Sequence, residues 1–521
     1  MFTRRLFLAG STATALLAPA MLSARTLFRE YPFRLGVASG DPSADGFVIW
    51  TKLAPEPMEP HGGMPLAPVE VSWEVASDAG FRTIVQSGTA IARPEIGHAV
   101  HVELSGLSSD RPYWYRFTCM GEQSLRGRAR TAPAVGANID ALKFGVAGCQ
   151  NFEDGYYGAY RHLAREDVAF VYHYGDFIYE YRQDYEYLDG LPILPVRQHA
   201  YRNLIDLGDY RIAYAQALGD VDCQAARAMH PFLSSFDDHE VQNNWVGDVD
   251  NWMLGGDGVN PSPPPPELFR LRRAAAMQAW YEHMPVRRAL LPRDGIVALN
   301  REMRWGNLLS LQLLDTRQFR SDQPCNDGFK PVCADVNAAD RQVLGREQEA
   351  WLARNLEQPS RWYGLAQQIM MMSLDRRRRA DEPAKLLNLD SWAGYEAARQ
   401  RILSRIAGTG HCVVLTGDEH QNFAGDLVQR DRIVGSEIVA TSISSGGDGS
   451  DLRSGSDVFL ANNPEVKFIN DQRGYVVCDI NRDAWRSHFQ VVDRVTTPTN
   501  SVSRRATAEI AYGRPGLHML A

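Results

Sequence analysis

From about residue 140 onward, short apolar runs alternate with stretches carrying helical periodicity. Val168-Ala169-Phe170-Val171 is long enough for a buried strand and leads, through Gly175, to Asp176. Leu142 to Gly148 runs into Cys149, Phe232 to Phe236 into Asp237-Asp238-His239-Glu240, and His411 to Thr416 into Gly417-Asp418-Glu419-His420. Tyr156–Asp167, Tyr210–Leu218 and Leu268–His283 are the candidate helices between them. Such alternation predicts a layered α/β unit, residues 140–521 with its C-terminal extension. The sequence NPSPPPPE over 260–267 predicts an exposed loop, because proline supplies no amide donor to a regular element. In α/β sheets ligands collect beyond the carboxyl ends of strands. Four runs ending in thiol, carboxylate or imidazole groups therefore point to one convergent site.

Residues 31–132 have a different period. Gly46–Trp50, Val69–Val75 and His101–Leu104 are strand-like, and Gly40-Asp41-Pro42 and Ser108–Pro112 are turn sequences. Leu107 followed by Tyr113-Trp114-Tyr115-Arg116-Phe117 resembles the tyrosine corner of fibronectin-type sandwiches. This predicts an N-terminal all-β domain, fibronectin/Ig-like, with Ala132–Gly136 as the linker. The tail from Thr496 to Ala521 reads either as a lid on the site or as a frayed end.

At 521 residues the chain exceeds one hydrophobic core, so at least two domains are expected. The first two dozen residues stand apart from both: Arg4-Arg5-Leu6-Phe7-Leu8 precedes an Ala-rich apolar run to Leu22, and small residues follow. That layout is an export leader over residues 1–24, and paired arginines before Phe-Leu resemble the twin-arginine type. The expected partner is then the twin-arginine (Tat) export machinery and the expected location periplasmic or secreted. The run is short for a membrane span, and no transmembrane anchor is expected in the mature form. Loss of two arginines with the leader takes the formal net charge from −8 to −10. Nothing in this balance is a nucleic-acid-binding signature. An anionic substrate would need local positive charge, which bound metal ions supply.

Seven cysteines cannot all pair with one another. Cys325 and Cys333 flank a short Gly/Pro loop and are disulfide candidates outside the cytoplasm. Cys119, Cys223, Cys412 and Cys478 lie in apolar surroundings that suit buried thiols. Cys149 ends a strand-like run and is the candidate metal ligand.

A thiolate from Cys149, a carboxylate from Asp176, a phenolate from Tyr179 and an imidazole from His420 form a set better matched to ferric iron, Fe(3+), than to zinc. Asp238 and Asp418, with Asp176 bridging, make an adjacent all-oxygen site that suits calcium, Ca(2+). Two ions about 3.5–4 Å apart are the arrangement used for in-line attack at phosphorus.

In this order the blocks resemble the metallophosphoesterase superfamily, and within it the PhoD-type alkaline phosphatases. The pattern is carried by Cys149-Gln150-Asn151, Gly155-Tyr156-Tyr157, Gly175–Tyr181, Asp237–Val241 with Asn243-Asn244, Leu314–Gln318 and Gly417–His420. The front block, Phe33–Pro42 to Trp50-Thr51, resembles that family's N-terminal domain. The resemblance implies a metallophosphoesterase-type layered α/β sandwich and a metal-dependent phosphoric ester hydrolase acting on mono- or diesters. It implies an iron–calcium site in which Asp238 and Asp418 stand where the superfamily has nitrogen ligands. Catalytic roles fall on Asp176 and on His239, which protonates the leaving oxygen or binds phosphate. Glu240 and Asn244 are candidates for further calcium contacts. Arg317 is either a phosphate contact or a buried salt bridge, and the basic run Arg376–Arg379 either a solvated loop or an anion attractor.

Two other readings stay open at this level. Similar sites cleave diesters, which gives a phosphodiesterase or a phospholipase D-like activity. More distantly, the β module makes the chain a noncatalytic surface-binding protein.

Overall fold

The computed structural model describes residues 30–182, 186–188, 191–250 and 264–520. The leader therefore lies outside the described residues, as do residues 260–263 of the proline-rich stretch.

Two large sheets lie face to face. In spatial order the first contains His518–Leu520, Val502–Ala511, Ala484–Val492, Gly474–Asn481, Ala141–Ala147, Val171–His173, Pro231–Ser234, Val37–Ser43, Gly46–Lys52 and Ala99–Glu103. The second runs Arg301–Trp305, Leu309–Leu313, Trp362–Ala366, Cys412–Thr416, Arg432–Val439, Asn422–Gln429 and Val466–Asn470. Each is parallel at its centre and antiparallel at its edges. Parallel strands are buried on both faces, which explains why their sequences are continuous apolar runs rather than alternating ones.

Between the sheets, Phe144, Phe170 and Trp485 of the first pack with Leu311, Trp362 and Val413 of the second. The helices Gly158–Leu163, Leu207–Leu218, Val221–Met229 and Pro266–His283 cover the outer face of the first sheet. Gly345–Leu356 and Glu396–Thr409 cover the second. The result is a four-layer α/β/β/α sandwich.

Some elements differ from expectation. The regular part of the strand before Asp176 is Val171–His173, although Ala169 N already donates to Lys143 O. Asp206 and Asp209 form a reciprocal capping box, so that helix starts at Leu207 rather than Tyr210. Pro266 and Glu267 belong to a helix, not to the proline-rich loop. Pro266 occupies its first position, where a missing amide costs no hydrogen bond. The tail is neither lid nor frayed end: Val502–Ala511 and His518–Leu520 extend the edge of the first sheet, and Ala508 and Ile510 reach into the inter-sheet core.

The N-terminal β domain is built from Ile84–Ala92, Val69–Ala76, Pro112–Cys119, Glu122–Gln123 and Gly127–Arg130, packed against strands of the large sheet. The Tyr113 hydroxyl closes its corner, accepting from Ser108 N at 3.0 Å and donating to Ser108 O at 3.2 Å. Its second layer is shared. Val37–Ser43 pairs in parallel with Pro231–Ser234, so Val37, Phe47 and Ile49 face the β domain while Ala38 and Trp50 face the helices. Gly40 makes the join possible, since a Cβ there would stand 2.1 Å from Pro285 O.

Among the described residues, no helix is long and apolar enough to cross a membrane. Cys325 and Cys333 are disulfide-bonded, and the five other cysteines are free and buried.

Candidate metal centre

The parallel strands of both sheets end on one side of the sandwich, and the loops that follow converge there. Cys149, Asp176, Asp418 and His420 all take positive φ, at 51°, 55°, 64° and 52°. Such backbone costs on the order of 1–3 kcal/mol per residue and persists where the surroundings enforce it. Cys149 N donates to Gly175 O at 3.0 Å and Gln150 N to Asp176 O at 2.9 Å, locking the first two loops together. Gly175 must lack a side chain, because a Cβ would meet Asp237 N at 2.4 Å. Glu240 ties in the third loop: its carboxylate accepts from Asp176 N at 2.9 Å, Phe177 N at 2.7 Å and Asp237 N at 2.8 Å. Those three bonds make Glu240 a backbone clasp for the loops.

All seven residues singled out for the site come together. Asp176 Oδ2 lies 3.3 Å from Cys149 Sγ and 3.1 Å from the Tyr179 hydroxyl, which is itself 3.1 Å from His420 Nε2. Ligand atoms of Cys149, Asp176 and His420 fall within 4.8 Å of one another, as do those of Asp237, Asp238 and Asp418. Asp176, Asp238 and His239 form a third such group, which links the other two.

The electrostatics are those of an anion cluster awaiting cations. Burial, then Asp176 and Asp418, hold the Cys149 thiol well above its ordinary pKa. Burial also raises the carboxyls of Asp176 and Asp418, with neighbouring aspartates adding to it, and the Tyr179 phenol. Burial, followed by Arg473 and His239, pushes His420 down to about 3, leaving a neutral imidazole. Bound cations reverse this balance by favouring the deprotonated ligands. Asp237 Oδ2 and Asp238 Oδ1 are buried with no hydrogen-bond partner, although a buried acceptor ordinarily has one. The donor set and these orphaned oxygens both fit metal binding.

Several participants were not assigned from the sequence. Glu180 Oε2 lies 2.7 Å from His239 Nδ1. Burial alone would lower the His239 pKa, but Glu180, then Asp238 and Asp176, carry it well above its ordinary value. The Ser445 hydroxyl is 2.7 Å from that of Tyr179, donates to Cys149 O at 2.8 Å and accepts from Asn151 N at 2.9 Å. The signal was present: Thr441–Gly447, Ser- and Gly-rich, follows another parallel strand of the second sheet. Arg317 resolves towards the salt bridge. It is fully buried, with Nε 2.5 Å from Asp237 and Nη1 2.8 Å from Asp390, while Nη2 stands 3.6 Å from both Asp238 and Asp418. Asn244 anchors this side through Asp238, which accepts from its amide at 2.7 Å, and through Asp327, 2.6 Å from its side chain.

The layered α/β/β/α sandwich is metallophosphoesterase-like, and acidic, thiol and imidazole groups that could hold metal ions gather at its strand ends. A purple acid phosphatase from yellow lupin (Lupinus luteus) superposes with a TM-score of 0.55 over 91% of this chain and 74% of that one, at 11% identity, a likeness of fold alone. The model of the PhoD-like phosphatase matches residues 144–489, and that of the PhoD-like phosphatase N-terminal domain matches 18–133. Alkaline phosphatase D of Bacillus subtilis is 41% identical over 534 residues, covering 99% of this chain and 89% of its own. A solved PhoD structure superposes with a TM-score of 0.88 at 42% identity, over 95% of this chain and 93% of that one. The chain belongs to the PhoD-like phosphatase family and is a phosphoric ester hydrolase.

Proposed function

We propose that this protein is an exported alkaline phosphatase that hydrolyses phosphate esters at a ferric iron–calcium centre. Cys149, Asp176, Tyr179 and His420 hold the iron, and Asp176, Asp238 and Asp418 the calcium. The observation that carries the reading is the position of Asp176, whose carboxylate belongs at once to the thiol–imidazole group and to the group containing Asp238. Bound there, the ions supply Lewis acidity for activating water and neutralise charge building on the phosphoryl oxygens.

The chain's own contribution centres on His239. Glu180 engages Nδ1, which leaves Nε2 as the proton donor to the departing ester oxygen. The Glu180 carboxylate beside it favours the protonated form of that imidazole. Ser445 fixes the phenol of Tyr179, and Glu240 fixes the loop bearing Asp176. Arg317 steadies Asp237, Asp238 and Asp418 from behind, so the oxygen ligands stay gathered before any ion arrives.

Residues 1–24 act as the twin-arginine leader, 31–132 as the β domain and 140–521 as the catalytic domain. Export of an already folded protein suits metal loading before transport. Metal analysis of the purified protein, run beside chromogenic monoester and diester assays, tests this reading. Iron, calcium and turnover of at least one ester class are expected. Full activity with neither metal would refute it, and the faster ester class decides between phosphatase and phosphodiesterase.

A further inference from the structure

Asp418 and Asn244 also line a cavity of about 590 Å³ that extends away from the metal centre. Three arginines, Arg376, Arg378 and Arg453, line the same cavity with Phe329 and the carboxylates of Asp327, Asp390 and Glu419, of which Asp390 is paired with Arg317 and Arg320. The three arginines are not equivalent. Arg376 is paired with Glu419, and Arg453 lies 2.8 Å from Asp471, which Arg473 shares. The flanking members of the basic run are also matched, Arg377 with Asp375 and Arg379 with Asp381.

Arg378 alone of this run forms no ion pair among the described residues. Its Nη1 donates to Ser456 Oγ at 3.1 Å, and its guanidinium lies 4.6 Å from the centroid of the Phe459 ring. Glu382 accepts from its backbone amide at 2.8 Å. A Cβ on Gly455 would come within 2.3 Å of Arg378 O, so the two segments sit in close backbone contact. The guanidinium is thus held in place by neutral groups, and the carboxylates that act on it, Glu419 and Asp471, are themselves paired with Arg376, Arg453 and Arg473. Arg376 and Arg453, on either side, add positive potential that their own carboxylates only partly cancel.

The opposite wall has its own brace. Phe329–Pro331 pairs with Leu386–Asn388, and the Cys325–Cys333 disulfide closes the loop around it. Phe329 is 61% exposed on this wall, although a phenylalanine ordinarily seeks burial. The Phe329 ring, 5.9 Å from the Arg376 guanidinium, and Arg378 line one cavity, and an exposed ring with a fixed guanidinium suits an organic group that carries an oxyanion.

We infer that Arg378 is a specificity-determining residue that binds a second oxyanion, phosphate or carboxylate, on the organic part of the substrate, while the scissile phosphate lies at the metal centre. The inference rests on the hydrolase reading above. It predicts a preference for esters with two separated anionic groups over esters with one.

The test uses the metal-loaded, full-length protein and three substrates: phenyl phosphate, 4-carboxyphenyl phosphate and 1,4-phenylene bisphosphate. Wild type should show a higher kcat/KM for both dianionic-ended substrates than for phenyl phosphate. Arg378→Gln should lower that ratio at least tenfold. Arg378→Lys, which keeps the charge but not the planar stack on Phe459, should fall between. Because each ratio is taken within one protein preparation, partial misfolding of a variant cancels. A ratio unchanged within twofold in Arg378→Gln overturns the assignment while leaving the hydrolase reading intact. Failure of wild type on all three monoesters overturns the assignment, and failure on the diester bis(4-nitrophenyl) phosphate as well overturns the hydrolase reading with it. A drop with the bisphosphate alone identifies phosphate as the second group, and a drop with both identifies any oxyanion.

Discussion

His239 Nδ1 and Glu180 Oε2 are 2.7 Å apart, in the geometry of a carboxylate holding an imidazole by one nitrogen and freeing the other. Both side chains are almost fully buried, so solvent screens their interaction little. Glu180→Gln keeps the shape and removes the charge. Losing a close opposite charge lowers the pKa of the imidazole. A rate that requires protonated His239 should therefore lose its alkaline limb at lower pH. A pH–kcat profile superimposable on wild type would remove Glu180 from this role.

Asp176→Asn should abolish turnover and reduce bound metal, because one carboxylate serves two ligand groups. In the metal-free protein the same change should not lower the melting temperature. Burial already penalises the ionised form, and neighbouring aspartates add to that penalty. Elemental analysis and a thermal scan on the same preparation check both halves.

Tyr179→Phe retains the ring that stacks near His239, with centroids 4.2 Å apart, and deletes only the oxygen. If that oxygen binds ferric iron, the wild type absorbs in the visible through charge transfer, and the variant loses or shifts the band along with much of its activity. An active, iron-containing wild type whose spectrum the substitution leaves unaltered contradicts the phenolate ligand.

A calcium chelator should inactivate the enzyme reversibly. The proposed second site, Asp176, Asp238 and Asp418, offers only oxygen, and hard oxygen ligands suit calcium. Calcium should restore activity better than zinc; recovery with zinc alone would show the second metal to be misassigned.

Two buried neutral histidines should weaken folding on the acid side. Burial pushes His173 down to about 3 and His230 to about 4, and both are buried neutral. Their pKa in the unfolded chain is near 6.5. As pH drops below that value the unfolded state takes up protons first, so folding is progressively disfavoured towards pH 4. At about 1.4 kcal/mol per pKa unit, each histidine opposes folding by about 2–4 kcal/mol at the low end. Wild type should therefore lose urea-midpoint stability relative to His230→Gln as pH falls from 7.5 to 5, and a constant difference between the two would contradict it.

The chain on its own located the groups that converge beyond the strand ends. Apolar runs ending in Cys149, Asp176, Asp238 and Asp418 are local patterns, because a buried parallel strand needs a continuous apolar segment and its polar groups follow at once in sequence. The tyrosine corner was legible for the same reason, Tyr113 bonding only five residues back. What tertiary structure decided was pairing across distance. Val37–Ser43 reads as an ordinary strand of a small β unit, yet it joins the catalytic sheet beside a strand some 190 residues later, a register no local pattern encodes. Only the assembled loops show that the Glu240 carboxylate accepts from three backbone amides, those of Asp176, Phe177 and Asp237. Arg317 found its carboxylates 80 and 73 residues away, and of four successive arginines only the fold reveals that Arg378 is the one without an acid. Ion pairs and amide contacts of that kind depend on which strand ends meet, and that is settled by how the two sheets pack, not by any one segment.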